Sequence, residues 1–169
     1  FEVYGKYAGG WNFYPDETIE VGGGEVFFEN KGVTSLLELA NLFSNHELEK
    51  INELHLSGNE ITSLEGLEKF PNVHSLYLKN NKITELKSSL YLKGVYYDII
   101  DVSNNKINSV ISYPDTKHLN LDGNQISTIN DEFISCLENQ PPAELSLLNN
   151  PITKLNIKLK NIKFNPKII

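Results

Sequence analysis

Ile51-Asn52-Glu53-Leu54-His55-Leu56-Ser57-Gly58-Asn59-Glu60-Ile61 is the stretch that decides the fold. Leu54 and Leu56 alternate with His55, the period of a β-strand that hides one face and displays the other. A strand this short cannot bury its own leucines, so it needs neighbours carrying the same pattern.

Those neighbours are in the chain. The spacing returns in Val73, Leu76, Leu78, Asn81 and Ile83, and again in Tyr97, Ile100, Val102, Asn105 and Ile107. Thr116, Leu119, Leu121, Asn124 and Ile126 make the next copy, and Pro142, Leu145, Leu147, Asn150 and Ile152 the one after. A degenerate earlier copy runs through Val26, Phe28 and Val33, with Lys31 where the asparagine belongs. Successive asparagines from Asn59 to Asn150 are 22, 24, 19 and 26 residues apart, so the strand side is fixed while the return varies. Stacked coils of this kind join their strands into a parallel sheet and close one long core behind it. Each asparagine amide is placed to bond buried backbone groups where the chain leaves the sheet, which predicts a ladder of five.

The pattern resembles the leucine-rich-repeat family over roughly residues 25–155, and this copy length resembles the 22-residue subclass of bacterial internalins and the leucine-rich regulatory subunit of protein phosphatase 1. The resemblance implies an α/β fold: a right-handed solenoid, or horseshoe, with a short parallel sheet on its concave face and 3₁₀ or short helices on its convex face. It also implies a binding scaffold rather than an enzyme.

The returns carry helix signals. Leu64, Leu67, Phe70, Pro71 and Val73 suit a short 3₁₀ or α turn. Ser35 and Glu38 are spaced as a capping box before Leu39, Leu42 and Phe43. Asp131 to about Glu138 reads as a helix with Phe133, Ile134 and Leu137 on one face.

Outside the repeats, residues 1–24 are rich in glycine and aromatics (Tyr4, Tyr7, Trp11, Phe13, Tyr14) and are expected to cap the first coil. An aromatic platform for a carbohydrate or peptide is the rival reading of these rings. Gly22-Gly23-Gly24 lacks the lysine and hydroxyl of a phosphate loop and reads as a turn. Residues 156–169 are expected to close the sheet, with Leu155, Ile157 and Leu159 alternating with polar residues. The interval is too short for another full coil, and Lys154, Lys158, Lys160, Lys163 and Lys167 make this end basic.

Composition narrows the partner. The net charge of −7 argues against nucleic acid, whose phosphates need a basic surface, and favours a basic or mixed-charge protein. Arginine and methionine are absent, and Cys136, the single cysteine, is expected to be a small buried residue with no disulfide. No apolar run approaches the ~20 residues that span a bilayer, so no membrane segment is expected. Asn-x-Ser/Thr acceptors are lacking, which leans toward the cytoplasm while leaving a cell-surface or secreted effector role open. A start at Phe1 suits a processed protein or a piece of a larger one, and a monomer is expected.

Three columns of side chains should face away from the core. They are Glu25, Glu53, Ser75, Ile99, His118 and Glu144; Phe27, His55, Tyr77, Asp101, Asn120 and Ser146; and Glu29, Ser57, Lys79, Ser103, Asp122 and Leu148. Phe27, His55 and Tyr77 thus become neighbours, an aromatic centre edged by charge, as at protein interfaces. The binding set expected from this arrangement is Phe27, His55 and Tyr77 as anchors, with Lys79, Asp101, Ser103, Asn120 and Asp122 around them. If His55 lies inside a contact, affinity should vary between about pH 5 and 7.5.

No Gly-x-Ser-x-Gly or comparable nucleophile signature occurs, and His46, His55, His74 and His118 lack zinc-ligand spacing. No catalytic residue, cofactor or metal is therefore expected. The leading expectation is a protein-interaction module that binds through its concave face. The substrate-targeting arm of a larger enzyme or effector, and a surface adhesin, are the alternatives.

Overall fold

The computed structural model describes residues 2–4, 18–87, 94–154 and 167–168. Along these the chain forms β1 (Glu2–Tyr4), β2 (Thr18–Gly22), β3 (Glu25–Phe27), α1 (Leu36–Ala40), α2 (Asn45–Lys50), β4 (Glu53–His55) and a 3₁₀ turn (Leu67–Lys69). There follow β5 (Ser75–Tyr77), β6 (Glu85–Leu86), β7 (Tyr97–Asp101), β8 (Ser109–Val110), β9 (Thr116–Asn120), α3 (Asp131–Asn139), β10 (Glu144–Ser146) and β11 (Lys167–Ile168).

The main sheet has the order β1-β2-β3-β4-β5-β7-β9-β10-β11. From β3 onward every pairing is parallel, and Leu54 pairs with Leu76, Leu76 with Ile100, Ile100 with Leu119 and Leu119 with Leu145. That register follows from the sequence: a slip of one residue would turn the leucines outward and the polar residues in. The hidden residues Val26, Leu54, Leu76, Ile100, Leu119 and Leu145 are all buried, and they belong to one core that runs through the stacked coils.

The ladder of asparagines has the bonds its position demands. Asn105 Oδ1 accepts from Ile83 N–H (3.0 Å), while Nδ2 donates to the carbonyls of Leu78 (3.0 Å) and Val102 (2.9 Å). Asn81 repeats this with Ile61, Leu56 and Leu78, Asn124 with Ile107, Val102 and Leu121, and Asn150 with Ile126, Leu121 and Leu147. Each side chain therefore ties its own coil to the one before it. Asn59 does the same for the first coil, accepting from Lys31 N–H and Val33 N–H and donating to Phe28 O and Leu56 O. Lys31 can replace asparagine because its coil is preceded by the antiparallel β2, which offers no equivalent turn to bridge.

The residue before each ladder position is left-handed: Asn30, Gly58, Asn80, Asn104, Gly123 and Asn149 have φ between 52° and 74°. Only glycine and asparagine enter this region cheaply, so the Asn-Asn and Gly-Asn pairs have a backbone cause.

The helices sharpen the sequence reading. Ser35 caps α1, its Oγ accepting from the N–H groups of Leu37 and Glu38, but the helix ends at Ala40 and the reciprocal capping box stands at Ser44 and Glu47, opening α2. Phe43 is buried in the link between two short helices rather than on one longer one. The return has to reverse toward β4 within a few residues, which a second N-cap achieves. The turn at Leu67–Lys69 is 3₁₀, and α3 buries Phe133, Ile134 and Leu137 as expected. Tyr113 packs edge-on against Phe133 at 6.4 Å and its hydroxyl donates to Gln140 O (2.8 Å), fixing the end of α3. Two returns also pair with each other, β6 running parallel to β8.

At the start of the sheet, β1 and β2 extend it antiparallel, and Ile19 and Val21 are buried. Gly23 (φ 65°) and Gly24 (φ 93°) form the two-residue turn into β3, which needs positive φ at both places. Tyr7, Trp11, Phe13 and Tyr14 lie outside the described residues, as does the strand expected around Leu155–Leu159. The final parallel strand is β11, with Leu145 paired to Ile168, one sheet position beyond β10.

Candidate binding face of the sheet

Parallel pairing in a fixed register carries the intervening side chains into straight columns. Phe27 pairs with His55, His55 with Tyr77, Tyr77 with Asp101 and Asp101 with Asn120. The strand spacing, about 4.8 Å, nearly equals the stacking distance of flat rings. The rings use it: Phe27 and His55 stack at 4.5 Å and 22°, His55 and Tyr77 at 4.6 Å and 14°. His55 is thereby clamped between two aromatic faces, and its Nε2 lies 3.1 Å from Glu53 Oε2. Phe27, at 45% exposed, leaves the outer end of the stack open to solvent.

Charge surrounds the rings. The Tyr77 hydroxyl is held above its ordinary value by burial first, then by the carboxylates of Glu53, Asp101, Asp98 and Glu25. His74 and Asp98 form a pair beside them (Nδ1 to Oδ2 3.2 Å). Lys79 is exposed in the neighbouring column.

The other expected contact residues differ in what they can offer. Ser103 is only 5% exposed, so a partner could reach little of it. Asp101 Oδ1 accepts from Ser103 N–H (2.9 Å) and Asn120 Oδ1 from Asp122 N–H (3.0 Å), each bracing its own strand end. Asp122 accepts from Leu148 N–H (2.8 Å) and from the Ser146 hydroxyl, so it ties β9 to the coil of β10 as well as facing outward. Leu148, 48% exposed, is an apolar residue of the same column that the expected set omitted.

Glu25 and Glu53 were legible only as column members, and the fold gives them more. With His55 they form a group whose ligand atoms lie within 4.8 Å of one another, the residue types that can hold a divalent cation. Sequence spacing hid this because Glu25 comes from a different coil.

A family profile of leucine rich repeats in two copies matches residues 49–91, and a leucine rich repeat profile matches residues 115–137. Together with the coil-by-coil register, that decides the family. The chain is a leucine-rich-repeat protein. A search of curated proteins finds no match to it. Leucine-rich repeats are generally protein–protein interaction modules and typically not enzymes. Among the described residues of this leucine-rich-repeat chain, no helix is long and apolar enough to cross a membrane.

Proposed function

We propose that the open face of the leucine-rich-repeat sheet holds a protein partner, with Phe27, His55 and Tyr77 as anchors and Lys79, Asp101, Asn120 and Asp122 as surrounding polar contacts. The observation that carries this reading is the three-ring stack, which lies on the outward side of the strands with no element of the described chain laid over it. Rigid aromatics in fixed rotamers lose little entropy on binding and supply large contact area, which is how a few residues dominate an interface. The carboxylates around the stack favour a partner with basic character, in keeping with the net charge of −7.

The test compares wild type with Tyr77→Ala and His55→Ala combined. Partner affinity should fall by at least ~2 kcal/mol in a titration of the purified partner, while melting changes little because the rings lie outside the core. Unaltered affinity would remove the partner from this face.

A further inference from the structure

The ring stack stops at β5. Tyr77 has one face against His55, and its other face is turned toward β7, where its register partner is Asp101. Asp101 is too short to cover a phenol ring, and the next members of the column, Asn120 and Ser146, are short as well. The structure thus leaves a place one ring thick beside Tyr77, above Asp101. The carboxylate there is held in position by Ser103 N–H on Oδ1, and among the described residues Oδ2 has no hydrogen-bond partner. Four carboxylates act on Tyr77, those of Glu53, Asp101, Asp98 and Glu25, so the place favours a cation.

Resting on the reading that this face binds a protein, we propose that the slot between Tyr77 and Asp101 takes an arginine side chain of the partner. Its planar guanidinium continues the stack as a fourth layer on Tyr77 and pairs with the Asp101 carboxylate. The shape selects arginine over lysine. A guanidinium is flat, stacks on an aromatic face and offers paired N–H groups to a carboxylate, whereas an ammonium is a compact, strongly hydrated point charge. A second copy of this chain cannot supply the group, because the sequence contains no arginine.

The full chain is titrated, in the presence of EDTA so that a cation at Glu25, Glu53 and His55 cannot bridge, with three blocked peptides alternating glycine with arginine, lysine or glutamate. The arginine peptide should bind about tenfold or more tightly than the lysine peptide, and the glutamate peptide should not compete. Asp101→Asn and Tyr77→Leu should each lower arginine-peptide affinity by about tenfold, while Glu85→Gln, an equal loss of charge away from the slot, should not. Unchanged urea midpoints in these variants keep the comparison free of folding effects. Equal binding of the arginine and lysine peptides, or equal effects of Asp101→Asn and Glu85→Gln, would reduce the slot to general acidic attraction and overturn the proposal. With the purified partner, loss of binding in the Tyr77 and His55 double variant alongside full binding by Asp101→Asn would sink the arginine slot and leave the binding face standing. Full binding by both would sink both.

Discussion

Two adjacent residues in each coil carry the turn out of the sheet, and they do so by different physics. Ladder asparagines each satisfy at least three backbone groups, buried ones in the middle of the ladder, whereas the residue before them supplies a left-handed backbone. Asn105→Ala in the middle of the ladder should leave Ile83 N–H and the carbonyls of Leu78 and Val102 without this partner in a buried setting. A loss of about 3–5 kcal/mol in urea denaturation is expected, since each unsatisfied group costs roughly 1–3 kcal/mol and some will relax. Asn150→Ala should cost less, because its bonds are only partly buried. Equal losses at the two sites would show that burial does not set the value. One place earlier the rule changes. Asn104→Gly should stay within about 1 kcal/mol, as glycine already serves at 58 and 123, while Asn104→Val should cost about 1–2 kcal/mol by forcing a β-branched residue to φ 52°. If valine is tolerated as well as glycine, the left-handed turn is not what selects asparagine.

Whole coils show how far such residue rules reach. The strands were legible because alternation of leucines has one period and one register, so Leu54, Leu76, Ile100, Leu119 and Leu145 could be aligned before any coordinate was known. The column Phe27, His55, Tyr77 followed from the same register. What stayed hidden is what register does not encode. The meeting of Glu25 with Glu53 and His55 depends on side-chain reach across strands, and Ser103 is buried although its register puts it in an outward column. Helices were less legible still. Ser35-x-x-Glu38 and Ser44-x-x-Glu47 are both capping-box patterns, nine residues apart, and only the need to turn back toward β4 decides that the second opens a separate helix. Ser44→Ala should therefore destabilise the first coil by about 1 kcal/mol, seen as faster amide exchange at Glu47 and Leu48 with exchange in α3 unchanged. Protection unchanged at those amides would mean that packing of Leu48, not the cap, holds α2.

Stacking joins every coil into one core, so a group buried in one coil affects the stability of the whole array. Tyr97, on the hidden side of β7, and Tyr113, beneath α3, are both fully buried, and burial pushes both hydroxyls far above their ordinary value of 10; for Tyr113 the neighbouring Cys136 and Asp115 add to it. The sign follows from proton counting. Above pH 10 the unfolded chain releases these protons while the folded chain keeps them, so stability is full below that pH and falls as pH rises toward the folded values. Each buried tyrosine can contribute a slope of at most about 1.4 kcal/mol per pH unit. Tyr97→Phe keeps the ring and deletes the titrating group, so the urea midpoint of the variant should fall less steeply than wild type between pH 10 and 11.5, while titrating lysines affect both alike. Tyr113→Phe should flatten the profile too, but from a lower starting stability, because it also gives up the bond to Gln140 O. Parallel profiles for wild type and Tyr97→Phe would mean that the folded chain ionises Tyr97 at no penalty, and the core between the coils would then have to admit water where the sheet now excludes it.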